Sequence, residues 1–142
     1  MITLRAGLGD DIPAVLAFWL DATAEPSTTD DAGGLAALLA RSPGALVLAL
    51  DGDAIVGTII AGWDGWRGAL YRLAVQPSHR RRGIATALVS EAERLLRDQG
   101  MRRMHLIASR AGGETAESFW LSARYEPTDQ VRFVKTFAPR GD

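Results

Sequence analysis

Leu73-Ala-Val-Gln-Pro-Ser-His-Arg-Arg-Arg-Gly-Ile-Ala-Thr86 is the stretch on which the reading of this chain turns. A mostly apolar run, Ala69 to Val75, reads as a strand that cannot continue past Pro77. A cationic turn follows, and Gly83 opens a helix whose Ile84, Leu88, Val89, Ala92, Leu95 and Leu96 share one face, with Gly100 as its stop. The first amides of a helix have no intrahelical acceptor and sit at the positive end of its dipole, so they form an anion cradle. Gly83 lets the backbone approach phosphate oxygens without a Cβ, and Ala85 keeps the first turn narrow. The triphosphate loop Gly-Lys-Ser/Thr and the dinucleotide pattern Gly-x-Gly-x-x-Gly are both missing from the stretch. Read alone, Arg80-Arg81-Arg82 is a solvated basic turn; between a strand and a glycine-started helix it becomes a phosphate site.

Working outward, Ile2 to Ala6 alternates as a short strand, and Asp10 is placed to cap a first helix carrying Ile12, Val15, Leu16, Trp19 and Leu20. Glu25 to Gly34 is loop chemistry, and Leu35, Leu38 and Leu39 mark a second, short helix that Pro43-Gly44 ends. Ala45 to Leu50 and Ala54 to Ala61 read as a hairpin around Asp51-Gly52-Asp53. After the central helix, Met101 to Ala108 reads as a strand, Glu114 to Ala123 as a helix and Val131 to Phe137 as a closing strand. The order β-αα-βββ-α-β-α-β predicts a mixed α/β (α+β) fold in one domain, residues 1–142.

Composition narrows the chemistry. In 142 residues, 16 Lys+Arg against 17 Asp+Glu leave a net charge of −1, which provides no global field for nucleic acid or an anionic membrane. The absence of cysteine excludes disulfides, thiolate metal sites and a cysteine nucleophile. His79 and His105 stand isolated, His79 exposed beside the basic turn and His105 structural on its strand, so no metal site is expected. No apolar run reaches the ~20 residues of a membrane span, and no leader pattern follows Met1, so the expected location is the cytoplasm.

Arg80-x-x-Gly83-x-Ala85 after a strand resembles the acetyl-coenzyme A (acetyl-CoA) pyrophosphate loop of the GNAT superfamily of N-acetyltransferases. Ala116-x-x-Phe119-Trp120-x-x-x-Arg124-Tyr125 is similar to that family's Ala-x-x-Phe-Tyr-x-x-x-Gly-Phe signature, and the element order agrees along almost the entire chain. The resemblance implies a mostly antiparallel central sheet flanked by helices. It also implies that Leu73, Ala74 and Val75 line pantetheine, with the Val75 N–H as oxyanion donor. The backbone of Arg81, Arg82, Gly83, Ile84, Ala85 and Thr86 would cradle the pyrophosphate, with arginine side chains, Arg80 included, near the 3′-phosphate. Trp120 stands where the family carries the tyrosine that protonates the departing thiolate, and its indole N–H donates a hydrogen bond without delivering a proton. Tyr71, on the strand beside the thioester, is the first substitute, and Tyr125 the second.

The acceptor region implied by the resemblance lies between the first helix, the Glu25 loop and the Trp63 to Gly68 loop, with Trp19, Glu25, Trp63, Asp64 and Arg67 as its lining. Asp64 or Glu25 would take the proton. A lysine side chain is only ~0.04% neutral at pH 7, a handicap of about 4.6 kcal/mol against about 1.4 for an α-amine, so a small-molecule or peptide amine is the expected acceptor. Without cysteine, direct attack in a ternary complex is expected. The rival reading is a catalytically silent acyl-CoA binding or sensing module, motivated by Trp120. Members of the family often pair through their last strands, which makes a homodimer the oligomeric expectation.

Overall fold

The computed structural model describes residues 1–22, 29–108 and 113–139, with the backbone alone at 113–115. The chain divides into two compact units, Met1–Ile107 and Ala108–Asp142. In the first, β1 (Ile2–Ala6) leads to α1 (Ile12–Ala22) and α2 (Ala32–Arg41). The strands β2 (Leu46–Asp51), β3 (Ala54–Trp63) and β4 (Gly68–Val75) then precede α3 (Ile84–Asp98) and β5 (Met104–Leu106). The sheet runs β1-β2-β3-β4-β5, antiparallel except for the parallel pair β4–β5, so the predicted mixed and mostly antiparallel architecture holds.

Both faces of this sheet are covered, as period-2 strands require. On one face, Val15, Phe18 and Trp19 of α1 and Leu35 of α2 pack on Leu46, Leu48, Leu50, Ile60 and Ala74. On the other lies α3, whose buried Ile84, Leu88, Val89, Ala92 and Leu96 form the stripe expected from the sequence. Gly57 and Gly68 let α3 approach: a Cβ on Gly57 would stand 3.0 Å from Leu88 Cδ1, and one on Gly68 3.1 Å from Leu96 Cδ1.

Several predicted details shift. Asp11, not Asp10, closes the turn before α1: its carboxylate accepts the Leu8 amide at 2.8 Å and pairs with Arg5 at 2.7 and 2.9 Å. Asp31 caps α2 by accepting the Gly34 amide at 2.6 Å, so the helix starts inside the predicted loop. β5 spans three residues rather than Met101 to Ala108, because its register with β4 covers only Gly68 to Leu70.

In the second unit, α4 (Gly113–Ser122) is followed by Arg124 at φ +70. That left-handed conformation ends the helix, and the Tyr125 amide folds back to the Trp120 carbonyl at 3.0 Å. Val131 to Phe137 is not a strand in this structure: Val131, Phe133, Val134 and Phe137 are exposed. A strand exists through hydrogen bonds to another strand, and the described residues of this unit contain none to pair with. No described helix is long and apolar enough to cross a membrane.

Candidate active site

The opening stretch folds as its composition demands. Pro77 to His79 form a single 3₁₀ turn, Arg81 takes φ +66, and Gly83 caps α3 at φ +78. The first helical amide bond runs from Ala87 to the Gly83 carbonyl at 3.0 Å, which leaves the amides of Ile84, Ala85 and Thr86 outside the helical ladder. Arg81 and Gly83, both left-handed, bracket Arg82, the kind of alternating backbone that gathers successive N–H groups into a nest able to hold an anion. The side chains of Arg80, Arg81 and Arg82 are exposed around it.

Upstream, β4 opens along its outer edge. β5 stops opposite Leu70, so among the described residues Tyr71 to Val75 have no strand partner on that side. The Gln76 amide donates to the Val56 carbonyl at 2.8 Å, which makes the neighbouring Gly57–Val75 pair a non-hydrogen-bonded one. By the antiparallel alternation, Val75 therefore directs its N–H away from β3, toward the open edge. Leu73 and Val75 are half-buried and Ala74 is buried against the helix α1 face. An extended ligand can thus add to this edge and continue into the Gly83 nest.

Edge and nest are separated from the rest of β4 by a bulge. Thr58 is opposite Ala74 and Ile60 opposite Tyr71, so β4 uses one residue more than β3 between these pairs. Arg72, inside the bulge, has φ +54, a left-handed conformation that costs a non-glycine residue roughly 1–3 kcal/mol. Thr58, the one buried polar side chain among the described residues, donates its hydroxyl to the Arg72 carbonyl at 2.8 Å and accepts the Trp19 indole N–H at 2.9 Å. The Arg72 guanidinium lies 5.2 Å from the Trp19 ring centroid and is paired with Asp30, and burial lowers its pKa.

The structure groups the remaining candidates differently from the sequence. Trp19 is buried under Arg72, so it supports the α1-facing side of β4 from beneath. Tyr71 is half-exposed on the same face, with its ring edge 3.0 Å from where a Gly62 Cβ would stand. Trp63 and Asp64 line a cavity of about 540 Å³ with Arg41, Leu95 and Gln99, at the C-terminal end of α3. Eight residues of β4 place that cavity roughly 20 Å from Val75. Oδ1 of Asp64 accepts the Trp66 and Arg67 amides at 2.7 Å, and these bonds, that of Arg67 foremost, lower its pKa. A carboxylate so held organises its turn and is a weak base. Arg67 stacks 4.1 Å over Trp66. Glu25 lies outside the described residues. Trp120, in the second unit, meets Phe119 and Tyr125 edge-on at 5.0 and 5.2 Å.

His79 is half-buried rather than exposed: Nε2 is 2.9 Å from Asp51 Oδ2, and Nδ1 is 2.9 Å from Ser78 Oγ. The hairpin turn thereby holds the 3₁₀ turn that enters the nest, and the His79 bond leads the causes that lower the Asp51 pKa. Sequence reasoning missed this contact, as it missed Thr58, Arg72 and Asp30. The partners lie 14 to 42 residues apart, and no local pattern links them.

Comparison with known proteins bears on this geometry. An acetyltransferase of Pectobacterium atrosepticum is 31% identical over 89% of each chain. One of Sodalis glossinidius is 32% identical over 90% of this chain and 89% of its own. The fold matches that of the PaiA N-acetyltransferase of Thermoplasma acidophilum solved with coenzyme A, at a TM-score of 0.78 and 17% identity, covering 92% of this chain and 93% of that one. The family model for GNAT acetyltransferases matches residues 13–123, a span running from α1 to just past α4. With that match and relatives above 30% identity, this chain belongs to the GNAT family of acetyltransferases.

Proposed function

We infer that the protein transfers the acetyl group of acetyl-CoA to a primary amine of a small molecule or peptide, by direct attack within a ternary complex. The observation that carries this reading is the outer edge of β4, unpaired from Tyr71 to Val75 among the described residues, leading on into the Gly83 nest. Pantetheine would lie along Leu73 to Val75, the pyrophosphate against the amides of Arg81 to Thr86, and the 3′-phosphate among the exposed arginines. The Val75 N–H would stabilise the oxyanion that forms when the amine attacks the thioester carbonyl. Collapse of that intermediate breaks the C–S bond and releases coenzyme A as thiolate. A thiol of pKa ~8.5 leaves without obligatory protonation, and Tyr71 is the nearest candidate acid on β4.

The acceptor loses its proton to water or to a carboxylate of the α1–α2 loop; the low basicity and distant placement of Asp64 argue against that residue. An α-amine or small-molecule amine suits a site with so modest a base. Release of free thiol, read by a thiol dye against an amine panel, tests the reading without background from a chain that has no cysteine. Activity confined to lysine side chains would overturn the acceptor class. Binding of acetyl-CoA with no turnover for any amine would favour the silent acyl-CoA module, the reading that Trp120 in place of a phenol supports.

A further inference from the structure

We propose that Thr58 is a positioning residue for acetyl transfer: its hydroxyl locks Arg72 in the left-handed bulge that turns the Leu73–Val75 edge toward the thioester. The proposal rests on the acetyl-CoA reading above and extends it to a residue on another strand, buried beneath the site.

The hydrogen-bond polarity at Thr58 is forced. The indole N–H of Trp19 can only donate and the Arg72 carbonyl can only accept, so the one hydroxyl proton of Thr58 must go to Arg72. Trp19 thus fixes the orientation of that proton, and the proton fixes the peptide following Arg72. Thr58 is fully buried, and its two bonds are short, 2.8 Å to the Arg72 carbonyl and 2.9 Å from the Trp19 indole. Left-handed backbone at a residue with a Cβ persists where its surroundings over-determine it. Here the carbonyl is held by Thr58 and the guanidinium by Asp30 and the Trp19 ring. Released from these, Arg72 would relax toward an extended conformation, the bulge would move or close, and the amides of Leu73 to Val75 would change the direction they face. That edge has to present one particular N–H to one carbonyl oxygen, so a small rotation is felt in turnover.

Thr58→Val keeps the shape of the side chain and removes the hydroxyl. We expect kcat to fall on the order of 10- to 100-fold, while Thr58→Ser, which keeps the hydroxyl, stays within about threefold of wild type. A second comparison isolates the backbone. Arg72→Gly and Arg72→Ala both delete the guanidinium, but only glycine takes φ +54 freely, so the glycine variant should retain several-fold more activity than the alanine variant. Nuclear magnetic resonance of the unliganded protein supplies a readout independent of turnover. Thr58→Val should abolish the strong intraresidue amide–Hα cross-peak that positive φ produces at Arg72 and should shift the Leu73–Val75 amides, and Thr58→Ser should do neither. An unchanged Arg72 cross-peak in Thr58→Val, turnover of that variant within about twofold of wild type, or equal activity of the two Arg72 variants overturns the proposal. Wild-type protein with no affinity for acetyl-CoA overturns the functional reading instead, and the resonance comparison still decides whether Thr58 holds the bulge.

Discussion

At Gly83 a Cβ would meet nothing within 4 Å, so the demand for glycine comes from the backbone angle of +78° alone. Gly83→Ala should therefore cost only about 1 kcal/mol of stability. Relaxation of the angle would turn amides out of the nest, and acetyl-CoA affinity measured by titration calorimetry should fall on the order of tenfold, the equivalent of one charge-assisted hydrogen bond. Asp11 makes a different kind of contribution. Hydrogen bonds from Arg5, then the Leu8 amide, lower its pKa to about 2. A carboxylate with a depressed folded-state pKa stabilises fully above its unfolded value of about 4, and that stability is lost as pH falls toward about 2. Asp11→Asn should lower Tm at neutral pH and flatten the acid limb of the stability profile across that window. Gly83 could be singled out from sequence because its neighbours in the chain define its role. The choice of Asp11 over Asp10 could not, since it depends on where Arg5 of β1 comes to lie.

Among the elements, α3 was the most legible. Its apolar stripe, its opening glycine and Gly100 at φ +102 just past its end all agree, as expected where local propensity and burial coincide. Leu88 is fully buried in the middle of that stripe, beside Gly57. Leu88→Ala should destabilise by about 2–5 kcal/mol in denaturant unfolding, through lost burial and the cavity left behind. Because α3 carries the nest at its first turn, acetyl-CoA binding by the folded fraction should weaken as well. β5 and the Val131–Phe137 segment were read less well. β-propensity reports a side chain's fit to a pleated surface, whereas the length of a strand is decided by its partner. β5 has β4 for only three residues, and Val131–Phe137 has no partner strand among the described residues of its unit.

For the molecule as a whole, acetyl-CoA at about 100 times its Kd should add about 2.7 kcal/mol and raise Tm by roughly 5–10 °C. A thermal shift with acetyl-CoA that free adenosine fails to reproduce would attribute the gain to the pantetheine edge as well as the nucleotide. Initial velocities with varied amine and acetyl-CoA should give intersecting lines, since a chain without cysteine has no thiol to hold an acyl intermediate. By itself the sequence determined the family, the mixed sheet and the turn that enters α3 at Gly83, because each is written in residues adjacent in the chain or repeated at a regular period. Tertiary structure alone decided that Asp64 lies at the far end of β4, that His79 is tied to the hairpin, and that Thr58, Trp19, Arg72 and Asp30 meet beneath the open edge. Those contacts join residues far apart in the chain. They arise where strand register, a one-residue bulge and helix packing coincide, and no local pattern encodes that coincidence.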